Sequence, residues 1–201
     1  MSIKGLRWGA LPATLLLVGS VALAQTAPTT EVGQRKENQQ DRIAQGVQSG
    51  QLTAGKTTHL EDKEAAINAE TRADRAANGG QLTTAEKAKI NNQQNHLSNQ
   101  IYDDKHDTNT AHYGNNEVGQ RRENQQDRIA QGIKSGQLSA GETARLENRQ
   151  RGINQQVAAD RAANGGKLTG AERAQVNREQ NATSRNIYNK KHNGRTQHPR
   201  A

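Results

Sequence analysis

Residues 41–53 read Asp41-Arg42-Ile43-Ala44-Gln45-Gly46-Val47-Gln48-Ser49-Gly50-Gln51-Leu52-Thr53, and the string returns as Asp127-Arg128-Ile129-Ala130-Gln131-Gly132-Ile133-Lys134-Ser135-Gly136-Gln137-Leu138-Ser139. Its first half sets Ile43 and Val47 four apart among Ala, Gln and Arg, which makes one apolar stripe on a helix. Its second half breaks the stripe at Ser49-Gly50, where glycine suits a left-handed helix end. Thr53 then offers a hydroxyl to start the next helix. Helix, glycine turn and capped helix form the unit from which the chain is built.

The echo runs far beyond this string. Residues 31–107 align with 117–193 at an offset of 86, with 47 of 77 positions identical, so the chain reads as a tandem duplication. Each copy holds a second turn thirty residues after the first, Gly79-Gly80-Gln81-Leu82-Thr83 and Gly165-Gly166-Lys167-Leu168-Thr169. Between and after the turns, Leu60 and Ile67 lie seven apart, Ala73, Ala76 and Ala77 follow, and Ile90, Leu97 and Ile101 form a further stripe. No proline falls within either copy. The expected fold is all-α, with about three helices per copy hinged at Gly50, Gly80, Gly136 and Gly166. Thr83 with Glu86, Ser139 with Glu142 and Thr169 with Glu172 have the spacing of a capping box. Lys56 stands where the fourth Glu would be, which leaves Thr53 to cap alone. Residues 108–116 read as a linker, and 25–30 and 194–201 as frayed ends.

Ahead of the copies, Lys4 and Arg7 precede the apolar run Leu11 to Val18, and Val21-Ala22-Leu23-Ala24 precedes Gln25. This pattern predicts a secretory signal peptide over 1–24, cleaved after Ala24, and a product in the periplasm or medium. The run is too short to span a bilayer, and no later segment could do so. With no cysteine in the chain, disulfide staples and thiolate chemistry are excluded. Each copy carries ten Val, Ile and Leu residues, and the aromatics beyond Trp8 are Tyr102, Tyr113 and Tyr188. So thin an apolar content implies modest stability, or stability gained by association of the copies.

Charge divides unevenly. The first copy has 10 Lys and Arg against 12 Asp and Glu, and the second has 14 against 8. Two partners follow from this: a neighbouring copy, whether in the same chain or another, and an acidic polymer engaged by the second copy.

The Gly, Leu and Glu spacing of the turns resembles the second half of an EF-hand loop, with Glu86 and Glu172 where a calcium-binding carboxylate would sit. The first half offers Arg75, Ala77 and Gly79 instead of oxygen ligands, so the expectation is EF-hand-pair-like geometry without calcium. Asp103, His106 and Asp107 share one helical face and form a second candidate metal site, but in the second copy Asn189 and Asn193 replace the two Asp and only His192 persists. Ile101-Tyr102-x-x-Lys105-His106 recurs as Ile187-Tyr188-x-x-Lys191-His192. Lys and His there suit a helix C-terminus, and a Tyr, Lys and His binding site is the alternative. No Ser, His and Asp set recurs and no phosphate-cradling loop is present, so catalysis and cofactors are not expected.

The repeated string of residues 41–53, with Leu60-Glu61 following, resembles repeats in small exported bacterial proteins, a resemblance that covers about three-quarters of the chain and implies no activity. Leu82-Thr83-Thr84-Ala85-Glu86 is more loosely similar to the Leu-Thr-x-x-Gln motif of periplasmic stress chaperones of the Spy type, with Glu one place later than the Gln. The expected role is an exported, non-catalytic structural or protein-interaction protein of the envelope. A binding module for metal ions or acidic polymers, and a holdase chaperone, stand as alternatives.

Overall fold

A computed structural model describes residues 30–196. The expected signal peptide, residues 25–29 and residues 197–201 lie outside them. The described chain contains six helices: α1 (Glu31–Gln48), α2 (Ala54–Ala77), α3 (Thr84–His106), α4 (Glu117–Lys134), α5 (Ala140–Ala163) and α6 (Gly170–Lys191). The all-α expectation holds, with three helices in each copy, and helices of the two copies match in length to within one residue. Among the described residues no helix is long and apolar enough to cross a membrane.

Each glycine turn is closed by the chemistry its sequence provides. Gly50, Gly80, Gly136 and Gly166 all take positive φ, between 67° and 93°, a conformation that other residues adopt only with strain. The first turn in each copy has a further requirement. Leu52 folds back so that its N–H donates to the Gly46 carbonyl (2.9 Å), and Leu138 does the same at Gly132 (2.9 Å). A Cβ at Gly46 or Gly132 would stand 2.6 Å from that leucine's side chain. In each copy, therefore, a glycine inside the first helix makes room for the leucine that ends the turn.

The broadest helix pairings join the copies. α2 packs along α5 and α1 along α4, like against like, while α3 and α6 pack only within their own copy. The main core is correspondingly shared: Ile43, Val47, Leu60 and Ile101 lie in one cluster with Ile129, Ile133, Leu146 and Ile187. A smaller cluster in the second copy holds Val118, Ile153, Val157 and Val176. Ala73, Ala76 and Ala77, read as part of the α2 stripe, are solvent-exposed or nearly so in place of joining the core.

Two segments read as loose are tied down. Thr30 is the N-cap of α1, its hydroxyl accepting from the Gly33 N–H (3.3 Å). In the stretch 108–116, the Ala111 N–H donates to the Gly50 carbonyl (2.7 Å), and the Arg122 guanidinium lies 5.4 Å from the Tyr113 ring centre. The connection is a strap laid over the fold. Of the tail, Gly194 has φ of 73° and the Arg195 N–H donates to Asn193 Oδ1 (2.9 Å).

Candidate functional site

The capping residues spend their polar atoms on the backbone. Glu86 accepts from the Thr83 N–H (2.8 Å), and the Thr83 hydroxyl accepts from the Glu86 N–H (3.3 Å). Glu172 and Thr169 repeat this arrangement at the same distances. The Glu142 carboxylate takes both the N–H (3.2 Å) and the hydroxyl (2.9 Å) of Ser139. Thr53 caps α2 alone, accepting from the Lys56 N–H (3.3 Å). Asn78 donates to Glu86 and Asn164 to Glu172. The Thr83 and Thr169 backbone bonds, chiefly, hold these two carboxyls below the usual range. The two carboxylates at the calcium-like position are thus occupied as caps.

The second metal candidate is also dispersed. His106 stacks on Tyr102 (ring centres 4.1 Å apart) and its Nδ1 meets the Tyr102 carbonyl (2.7 Å), while Asp107 pairs with Lys56. Among the described residues no three His, Asp or Glu side chains converge as metal ligands would.

The Lys56 contact exposes a relation that single-copy reading misses. Lys56, at the start of α2, reaches across to the end of α3, where its Nζ donates to the Asp104 carbonyl (2.9 Å) and pairs with the Asp107 carboxylate. In the second copy Glu142 occupies that position, and it accepts from Asn193 (2.7 Å) and approaches Lys190 (3.9 Å). The same clasp is built twice, with its polarity reversed.

The seam between the copies holds an unusual set of polar side chains. Glu61 on α2 and its counterpart Glu147 on α5 are both 0% exposed. Each accepts one amide hydrogen bond from α1 or α4, Gln40 to Glu61 (3.1 Å) and Gln126 to Glu147 (2.9 Å). The other oxygen of each, Oε1, has no hydrogen-bond partner among the described residues. Neither residue is in an ion pair with another described residue. Burial pushes the Glu61 carboxyl well above its ordinary value, with the Glu64 and then the Glu147 charge adding to the rise, and burial raises Glu147 to about 8. Glu64, also fully buried, is raised to about 7 by burial, against the pull of Lys36. In the second copy its position is Gln150, whose amide donates to Gln125 (2.9 Å).

Glutamines knit the rest of this interior. Gln39 donates to the Gln94 carbonyl (2.6 Å) and Gln94 to the Val32 carbonyl (3.0 Å), which latches α1 to α3. Gln125 and Gln180 repeat the latch in the second copy (2.7 and 2.9 Å). In the sequence these glutamines count only as good helix formers. The signal that could have found them is their identity in both copies beside freely varying Gln at other helix positions.

On the outside, Tyr102 and Tyr188 are the only large apolar side chains left exposed among the described residues, each at 57%. Each stacks on the histidine four residues later, at 4.1 and 4.2 Å and the same 26° between ring planes. The outer flank of α6 adds Arg178 and Arg185, exposed and without an ion-pair partner among the described residues, where α3 has Asn92 and Asn99. Along the seam, a cleft of about 320 Å³ sets His59 and Asp62 of α2 opposite Arg145 and Arg151 of α5. No family model, curated protein or solved structure matches this chain.

Proposed function

We propose that this chain is an exported, non-catalytic interaction protein that works through two equivalent surface ends, Tyr102-Lys105-His106 and Tyr188-Lys191-His192. One observation carries the reading. A fold that buries nearly every other large apolar side chain leaves the same tyrosine out in both copies, held in the same stack. An amphipathic ring fixed on a rigid helix end gives contact area with little ordering cost, which is what protein-binding surfaces favour. The test places a photo-crosslinking amino acid at Tyr102, at Tyr188 or at exposed Ala159 in cells. Adducts from the two tyrosine positions and none from Ala159 are expected, and three equal patterns would refute the reading. Export rests on the charged and apolar leader before Gln25, and recovered protein beginning at residue 25 in the periplasm or medium is the expected result.

The α6 cations favour a second reading, in which the second copy binds an acidic polymer. Replacing Arg178 and Arg185 by Asn borrows the side chains that α3 uses at the same positions. Earlier elution of that variant from immobilised heparin is the expected outcome, and unchanged elution would dismiss the reading.

A further inference from the structure

We propose that Glu61 and Glu147 form a proton-operated lock between the two copies, closed when the pair is protonated and opened when both carboxyls ionise. The first ground is placement. The two residues occupy equivalent positions on α2 and α5, the most extensive pairing in the molecule, and both are sealed from water. The second is incomplete pairing. Each carboxyl receives one glutamine hydrogen bond and keeps an inner oxygen with no partner among the described residues. Burying a carboxylate without a counter-ion is strongly unfavourable, and a proton removes that cost. Two such carboxylates in one seam also repel each other.

The surrounding charges do not supply the missing cation. On α2, Asp62 and Glu64 add negative charge near Glu61. From α1, Lys36 faces Glu64, with Glu37 of α1 and Arg72 and Arg75 of α2 around it. From the strap, the Tyr113 hydroxyl lies near Glu147, and Arg122 of α4 faces that tyrosine. Protonation is therefore the route by which the seam becomes neutral. Burial raises the affinity of both residues for the proton, that of Glu147 to a pKa of about 8. Loss of the protons to solvent leaves two like charges in the seam, and the halves part to hydrate them.

Thermal melting of the full chain against pH tests this, with the Glu61→Gln/Glu147→Gln variant as a permanent mimic of the protonated pair. The wild-type Tm is expected to fall by roughly 10 °C or more from pH 5 to pH 9, and the variant to fall clearly less, by the part that Glu64 still contributes. A wild-type Tm that holds steady over that range would overturn the proposal, as would a variant that falls as far. Recovery of the wild-type Tm at pH 9 by millimolar calcium or magnesium would overturn it too, since the centre would then be a cation site. A second measurement needs no change at the glutamates. The chain has no cysteine, so spin labels at Gln45→Cys on α1 and Gln131→Cys on α4 report the seam alone. A longer distance at pH 9.5 that is absent at pH 5.5 supports the lock, and one unchanged distance refutes opening.

Discussion

Glycine does two opposite things in these helices, and single substitutions separate them. A Cβ at Gly119 would meet the Tyr113 and Gly114 carbonyl oxygens at 2.1 and 2.2 Å, and backbone oxygens held in the strap have nowhere to go. Gly119→Ala is expected to lower stability by roughly 1–3 kcal/mol, read by urea unfolding. Gly152 lies in the exposed middle of α5, where an added Cβ would meet open space, and the first copy already has Ala66 there. Gly152→Ala is therefore expected to raise stability by about 0.5–1 kcal/mol in the same assay. Glu64 offers a third test, because Gln150 shows that the fold accepts an amide at this position. Glu64→Gln should flatten part of the decline in Tm between pH 5 and pH 8 and leave the acid value nearly unchanged.

Among the elements, the reversed clasps close the same junction in each half with opposite charges. Lys56 with the α3 end and Glu142 with the α6 end solve one problem, joining the start of a middle helix to the end of a last helix, with opposite charges. Lys56→Glu alone would set a carboxylate beside Asp104 and Asp107 and should destabilise the chain. Adding Asp104→Lys and Asp107→Asn, the residues of the second copy, should recover roughly 1 kcal/mol or more as a coupling energy in a double-mutant cycle. No recovery would mean that the clasps are incidental. Helices, turns and caps were legible in sequence because each is a local matter: a period of 3.6, a glycine free of Cβ, and a hydroxyl three residues ahead of an N–H. The clasps were not, because Lys56 and Asp107 meet only after two helices have folded back, and a lone Lys in place of a Glu looks like simple loss. The glutamine latches were hidden by the same non-local geometry, and so was the exposure of Ala73, Ala76 and Ala77.

For the whole molecule, pairing like helix with like helix merges the larger part of two thin cores into one shared cluster. Ten aliphatic residues per copy are few for an independent domain, and the shared cluster is how this sequence overcomes that. How the copies meet was illegible in a single sequence, because a stripe on a helix says that something covers it and not what. The uneven charge was the visible trace: Asp62 and His59 line one wall of the seam cleft and Arg145 and Arg151 the other. Screening should weaken that attraction, so Tm is expected to drop a few degrees between 20 and 500 mM sodium chloride, and no drop would remove charge from the account of the seam. The buried carboxyls set the pH response. Their folded-state affinities for protons exceed those of the unfolded chain, so their contribution is whole below the unfolded value near 4.5. It declines by up to about 1.4 kcal/mol per pH unit for each group as pH rises through about 7 for Glu64 and about 8 for Glu147. All of this requires the two copies to fold as one body. Differential scanning calorimetry of the full chain at pH 6 asks that directly. A single transition whose calorimetric and van't Hoff enthalpies agree is the expected result, and two resolved transitions, one for each copy, would contradict it.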